Sequence, residues 1–307
     1  MNNPLVSITI VTYNSSKYIL DALESVKAQT YNNIELIVSD DCSTDNTIEI
    51  VNKWLNANST RFLNVEVLST DVNTGVSKNS NIARNACHGE WTKGFAGDDI
   101  LLPTCIEDNL NFIENEPHAQ VVLSNSIVFF DNGLDEMIQR PALLVPDFFN
   151  LSASDQYEKL VQHDLLMNPN SQFVKTCLLK SLKADERMKY MEDRQFFWNC
   201  TNRGVKIYYF DKVTVRYRKH EGALTGYPGK QLLSLNYNDS WAAFYYITRK
   251  TELEKRNINT AKDEKRILWY LVVKYILGNR GNLVMRILNR YVEKWIQKTK
   301  YYSNIDY

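Results

Sequence analysis

The sequence predicts an α/β protein with a mostly parallel central sheet, helices on both faces and a helical extension at the C-terminus. Three observations carry that expectation. The first half alternates between the two-residue period of strands and the 3.6-residue period of helices. Its strand-like runs end in short polar or acidic turns, and from about residue 245 onward the chain turns basic and helix-patterned.

The elements follow in order. Val6-Ser7-Ile8-Thr9-Ile10-Val11 reads as a strand, Tyr18, Ile19, Ala22, Leu23 and Val26 as a helical stripe, and Ile34-Glu35-Leu36-Ile37-Val38 as a second strand, which makes a βαβ unit. Ile48, Val51, Trp54 and Leu55 continue as a helix, Val65 to Leu68 as a strand, Val76 to Ala86 as a helix, and Trp91 to Ala96 as a strand closing at Gly97. Strands joined by crossover helices run parallel and are covered on both faces. Ligands of such sheets sit beyond the carboxyl ends of the strands. The residues expected there are Thr12-Tyr13-Asn14, Ser39-Asp40-Asp41, Thr70-Asp71-Val72-Asn73 and Gly97-Asp98-Asp99.

With 44% hydrophobic and 23% charged residues in 307, the chain can bury one large domain or a domain with an appendage. The division expected is 1–225 for the α/β domain and 226–307 for the helical region. The five cysteines, Cys42, Cys87, Cys105, Cys177 and Cys200, are scattered and never form a C-x-x-C pair, so a reducing, cytoplasmic setting is expected. Met1-Asn2-Asn3-Pro4 is no signal peptide, and the apolar run Ile267 to Leu277 is short and broken by Lys274, so no membrane span is expected.

Formal net charge is zero, but Tyr245 to Lys300 holds fourteen Lys or Arg against five Asp or Glu. Val284, Ile287, Leu288, Tyr291, Val292 and Trp295 recur there at helical spacing, with Arg286, Arg290, Lys294 and Lys298 on another side. Such a helix either packs its apolar stripe on its own domain or lays it on an anionic membrane surface, where Trp295, Tyr301 and Tyr302 would suit the headgroup region. No nucleic-acid partner is expected.

Two acidic clusters carry the chemistry. A carboxylate pair at a strand end, Asp98-Asp99, can hold a divalent cation against a diphosphate, and a second, Glu192-Asp193, can take a proton from an attacking hydroxyl. No G-x-G-x-x-G follows the first strand and no P-loop occurs, so the nucleotide must be held otherwise. Asp40 and Asp41 could accept hydrogen bonds from a base or ribose, while Ser43, Thr44 and Asp45 read as helix caps. The Gly-Asp-Asp turn could alternatively cap the next helix behind Pro103, and Glu192-Asp193 could simply complement a helix dipole.

V-T-Y-N at 11–14, S-D-D-C-S-T-D-N-T at 39–47, N-T-G-V-S-K-N-S-N-I-A-R-N at 73–85, G-E-W-T-K-G-F-A-G-D-D at 89–99 and M-E-D-R at 191–194 together resemble the inverting family 2 glycosyltransferases of the GT-A fold. The resemblance spans about residues 4–222. It implies transfer of a sugar from a nucleoside diphosphate donor, usually UDP-linked, to a saccharide or polyprenyl-linked acceptor hydroxyl with inversion, assisted by Mn²⁺ or Mg²⁺. By the same resemblance Thr12, Tyr13 and Asn14 line the base pocket, Asp40 contacts the base, and Lys78 lies near base or phosphates. Asp98 contacts ribose or donor sugar, Asp99 is the metal ligand and Asp193 the catalytic base beside Glu192. Gly97 stands where many members place the first Asp.

His220, in Tyr217-Arg218-Lys219-His220, resembles a late element near the diphosphate, with Arg216 and Arg218 supplying charge for the leaving group. Asn168-Pro169-Asn170-Ser171 resembles an acceptor-side loop, or is an ordinary turn. His88, His118 and His163 are read as surface or loop residues. The activity expected belongs to O-antigen, capsule or exopolysaccharide assembly at the inner face of a cell membrane. The alternative is a catalytically silent GT-A protein that binds nucleotide or glycan and scaffolds a partner.

Overall fold

The computed structural model describes residues 3–131, 137–142, 145, 147–163, 165, 167–220, 222, 223 and 232–298. In chain order the elements are β1 (Val6–Thr12), α1 (Ile19–Lys27), β2 (Ile34–Asp40), α2 (Thr47–Asn58), β3 (Asn64–Ser69), α3 (Val76–Ala86), β4 (Trp91–Ala96), β5 (Ile100–Leu101) and α4 (Cys105–Asn115). Then come β6 (Val121–Phe130), β7 (Met137–Gln139), α5 (Ala153–Gln162), β8 (Phe173–Lys175), α6 (Thr176–Ser181), α7 (Glu192–Asn202) and β9 (Ile207–Lys219). The chain closes with α8 (Leu235–Phe244), α9 (Lys250–Lys255), α10 (Ala261–Tyr275) and α11 (Leu283–Gln297).

The chain forms two compact units, the first made of Met1–Lys159 and Leu165–Arg218, the second of Leu160–Asp164 and Lys219–Tyr307. In the first, the strands run in the order β3-β2-β1-β4-β8-β6-β9-β5, with β7 paired to β6. The β3-β2-β1-β4 block is wholly parallel, as the crossover helices require, whereas β8, β6, β7, β5 and β9 pair antiparallel where their partners are described. The sheet is thus mostly parallel on the side whose strand ends carry the polar turns.

Side-chain alternation explains the two covered faces. Ile34, Leu36 and Val38 of β2 join Ile8, Ile10, Ile19, Leu23, Val26, Val51 and Trp54 in one buried cluster under α1 and α2. Ile37, pointing the other way, packs on Ala83 of α3 and on Cys87 just after it. All seven residues of β2 are buried in consequence, as a strand covered on both faces demands.

The second unit is helical. Its interior holds Trp241 stacked on Tyr245 with ring centroids 6.0 Å apart, and a buried Arg249–Asp263 ion pair at 3.0 Å. A π-helical turn over Tyr245–Arg249 separates α8 from α9, and Arg249 also donates to the Leu160 carbonyl at 3.3 Å. The boundary at Arg218/Lys219 lies seven residues before the sequence-based division at 225. Tyr301 and Tyr302 lie outside the described residues.

Candidate active site

Parallel register brings all four expected turns to one edge, the Thr70 turn included, since Asp40 pairs with Ser69 and its carbonyl accepts the Thr70 N–H at 3.1 Å. Thr12 pairs with Asp40, Val11 pairs with Ala96, and the Gly97 N–H donates to the Val11 carbonyl at 3.0 Å, so the ends of β1, β2 and β4 are level. Gly97 sits against Thr12. A β-carbon there would meet Thr12 Oγ1 at 2.9 Å and Ile19 Cδ1 at 3.1 Å, closer than packed atoms approach. That contact is a physical reason for glycine where an aspartate would otherwise stand.

The first turn is stitched to the second. Asn14, with φ of 49°, accepts the Thr44 N–H at 2.8 Å and donates its own N–H to Ser43 Oγ at 2.8 Å, while Ser16 donates to Asp45 at 3.0 Å. Tyr13 remains 46% exposed between these anchored neighbours, a ring presented at the sheet edge. Of Ser43, Thr44 and Asp45, Asp45 accepts the Thr47 N–H at the start of α2, whereas Ser43 and Thr44 bond Asp40 and Asn14 and the N-cap residue itself is Asn46.

The adjacent aspartates Asp40 and Asp41 are both buried but differently occupied. Asp41 accepts from Thr70 Oγ1, from both the N–H and hydroxyl of Thr74, and from the Gly75 N–H at 2.7 Å. It therefore fixes the start of α3, where Gly75 adopts φ of 90° and a side chain would collide with Lys189. Among the described residues the Asp40 carboxylate accepts only from Ser43, through its N–H and hydroxyl. Lys78 is exposed in the first turn of α3.

The Asp98-Asp99 turn is clamped from β9. β5, directly after it, pairs antiparallel with β9 at Ile100–Arg216 and Leu101–Val215, which carries Arg218 alongside. Asp99 is buried and accepts the Arg218 N–H at 2.9 Å; Arg218 Nε donates to the Asp98 carbonyl at 2.8 Å. The guanidinium continues to Asp21 at 2.7 Å and Asp131 at 3.3 Å, between the Tyr18 and Phe129 rings, each 4.7 Å away. Against a partial desolvation that would raise it, hydrogen bonds from Lys17, Tyr18 and Arg218 hold the exposed Asp131 carboxyl down at about 2. Arg218, read from the sequence as a source of positive charge for the leaving group, holds this turn through its backbone N–H and Nε while its terminal nitrogens bond Asp131 and Asp21. Its partners are scattered through the chain, so no local motif announces the clamp.

Glu192 and Asp193 open α7 and are half-buried. Burial pushes the Glu192 carboxyl up, and the Asp193 charge adds to this; burial likewise pushes Asp193 up, opposed by Arg194 and Arg84. The segment before them is held by α3. Ser77 takes its N–H to the Lys189 carbonyl at 3.0 Å and its hydroxyl to the Met188 carbonyl, while Asn81 exchanges two hydrogen bonds with the Ala184 backbone. Tyr190, two residues before Glu192, has its phenol pushed up by burial and by the nearby Asp41 and Tyr13. The first turn, Asp41 and the Glu192-Asp193 approach thus share one neighbourhood.

Sequence reasoning missed two buried cations. Arg84 of α3 is 6% exposed, has an Nη1 without a hydrogen-bond partner among the described residues, and lies within electrostatic reach of Glu192 and Asp193; burial lowers its affinity for its proton. Lys93 of β4 is fully buried and donates to the Asn170 carbonyl at 2.7 Å and the Gln172 carbonyl at 3.3 Å. Both fall inside the quoted motifs, and a charged residue in an otherwise apolar strand was the available signal for Lys93.

Asn168 is buried with φ of 46°, and its amide is exchanged with Gln139 at 2.6 and 2.7 Å. It pins the loop to the end of β7. His220 follows β9 in the second unit, its carbonyl accepting the Ala223 N–H at 3.2 Å.

The site therefore sets hard oxygen donors at one strand end, an open aromatic ring beside a buried aspartate, and a carboxylate pair with raised proton affinity. The sequence model of the family described as "Glycosyl transferase family 2" matches residues 7–168, more than half of the chain. The chain belongs to that family. Among relatives of this family 2 glycosyltransferase, EpsE of Bacillus subtilis (strain 168) is 24% identical over 222 residues, covering 72% of this chain and 76% of EpsE. The poly(ribitol-phosphate) beta-N-acetylglucosaminyltransferase TarS of Staphylococcus aureus (strain Mu50) is 36% identical over 120 residues, 38% of this chain and 20% of TarS. A crystal structure of S. aureus TarS 1-349 in complex with UDP-GlcNAc superposes with a TM-score of 0.58 at 22% identity, covering 92% of this chain and 79% of that one. The mannosyltransferase PcManGT of Pyrobaculum calidifontis, in complex with GDP-Man and Mn2+, superposes with a TM-score of 0.57 at 14% identity, covering 97% and 84%. These superpositions show the GT-A fold.

Proposed function

We propose that this glycosyltransferase moves a hexosyl or N-acetylhexosaminyl group, with inversion, from a UDP-sugar to a hydroxyl of a saccharide or polyprenyl-linked acceptor. The pathway proposed is surface-polysaccharide assembly at the inner face of the cell membrane. The observation that carries the reading is the Glu192-Asp193 pair, whose proton affinity is raised and whose approach segment is fastened through α3 to the turn organised by Asp41. TarS, solved with UDP-GlcNAc, supports the choice of a UDP-linked donor.

In this reading Tyr13 and Asp40 meet the nucleoside, and Asp98 meets the ribose or sugar. Asp193 accepts the acceptor's hydroxyl proton while that oxygen bonds to the sugar's C1 and the C1–O bond to the diphosphate breaks, its electron pair leaving with the diphosphate. Attack opposite the leaving group inverts C1, so one carboxylate base suffices and no covalent enzyme intermediate forms. The donor set fits a hard divalent ion held by one or two carboxylates plus substrate phosphates: among the described residues no cluster of three or more ligating side chains supplies an all-protein cage, and Asp99 is oriented by the Arg218 N–H. When bound, Mn²⁺ or Mg²⁺ neutralises charge on the departing diphosphate. The Arg84 charge opposes part of the burial effect that raises the proton affinity of Glu192 and Asp193.

Titration calorimetry with UDP, GDP and dTDP in the presence of Mn²⁺ tests the donor assignment. Selective binding of UDP is expected, and absence of binding by all three would overturn the nucleotide site.

A further inference from the structure

The C-terminal helix does not bury the stripe that its sequence pattern offers. The more covered side of α11 carries Met285, Asn289, Val292 and Ile296, and α11 meets α10 there through Trp269 Nε1, which donates to Asn289 Oδ1 at 2.6 Å. The i, i+3, i+4, i+7, i+11 series Val284, Ile287, Leu288, Tyr291 and Trp295 lies off that side, from 41% exposed at Leu288 to 73% at Val284. α10 adds Leu268, Leu271 and Tyr275 at i, i+3 and i+7, all exposed. Lys265, one turn before Leu268, sits 4.3 Å over the Trp295 ring and brings the two stripes together. An apolar surface of this kind, left in water by helices that have already packed on each other, marks an interaction site.

The charges beside it say what covers it. Arg286, Arg290, Lys294 and Lys298 form an exposed i, i+4 column next to the stripe. From Ala261 to Lys298 there are nine Lys or Arg against three Asp or Glu. Two of those three acids are already used, Asp263 by Arg249 and Glu264 by Lys250. A second copy docked across a two-fold axis would set this cationic column against its own image, which like-charge repulsion disfavours. An anionic bilayer satisfies both features at once, taking the aliphatic side chains below the headgroups, the Tyr275, Tyr291 and Trp295 rings at their level, and the column against lipid phosphates. No helix among the described residues is long and apolar enough to cross a membrane, so the helices lie on the surface.

We infer that the exposed face of α10 and α11 is a docking surface for an anionic phospholipid bilayer. The inference deepens the reading of a lipid-linked acceptor and rests on that reading only for its purpose, because it is tested without donor or acceptor. The full chain is sedimented with phosphatidylcholine vesicles containing or lacking phosphatidylglycerol. Binding to the anionic vesicles alone is expected, with a blue shift of tryptophan fluorescence in wild type that Trp295→Phe diminishes. Ile287→Asp, at an already exposed position, should weaken binding at least tenfold, and the triple variant Arg290→Glu, Lys294→Glu, Lys298→Glu roughly a hundredfold. UDP binding measured on the same variants reports separately on the nucleotide site. Absence of vesicle binding, binding by Ile287→Asp equal to wild type, or a concentration-dependent dimer in sedimentation velocity that Ile287→Asp dissolves would each overturn the assignment.

Discussion

Two pairs of adjacent acids in the first unit, Asp40-Asp41 and Glu192-Asp193, look alike in sequence and live in opposite surroundings. Asp41 alone accepts four hydrogen bonds, two of them from backbone N–H groups of the turn that starts α3. Asp193 accepts the N–H of the next residue, and burial raises the proton affinity of both members of its pair. The difference teaches how to sort carboxylates by role. One whose oxygens are saturated by donors is a fastener, whereas one held in a half-buried place with few donors is primed to take a proton.

Substitutions can break or sharpen that contrast. The largest effect is expected from Asp193→Asn, which removes the base but keeps the hydrogen bond from the Arg194 N–H. Transfer should fall by about 10³-fold with UDP binding retained, and a rate within tenfold of wild type would move the base elsewhere. The same variant has a stability signature. A carboxyl whose folded-state proton affinity is raised stabilises the protein at low pH and loses that contribution as pH rises through its folded titration. Asp193→Asn should therefore melt above wild type at pH 8, with the gain fading toward pH 4.

Asp41→Ala should behave in the reverse way. It strands the buried N–H groups of Thr74 and Gly75, so denaturant unfolding should show a loss of about 3 kcal/mol, with weakened UDP binding as a secondary effect. A loss below about 1 kcal/mol would remove Asp41 as the fastener. The smallest effect is expected at the turn between these sites. Gly97→Ala forces a methyl against Thr12 and Ile19 and should cost about 1–2 kcal/mol by the same measurement.

Much of the first unit was legible because its signals are local. The βαβ alternation located each of β1 to β4 and α1 to α3, and parallel topology alone implied that Thr12, Asp40 and Gly97 would end level, as their register shows. The Arg218 clamp is not legible in the sequence, because its partners Asp21, Asp98, Asp99 and Asp131 come from three distant stretches of chain. Lys93 and Arg84 were passed over since their burial depends on packing that no short window displays.

The sequence by itself determined which residues alternate, where the strands end, and that α11 carries an apolar stripe beside a cationic column, since each of these is a matter of spacing along the chain. Tertiary structure decided which side chains were spent. It saturated Asp41, turned Arg218 into a clamp, gave Glu192-Asp193 fewer donors than Asp41 among the described residues, and left the apolar stripe of α11 exposed. Hydrogen-bond saturation and burial depend on what distant segments bring alongside, and only the closed fold supplies those neighbours.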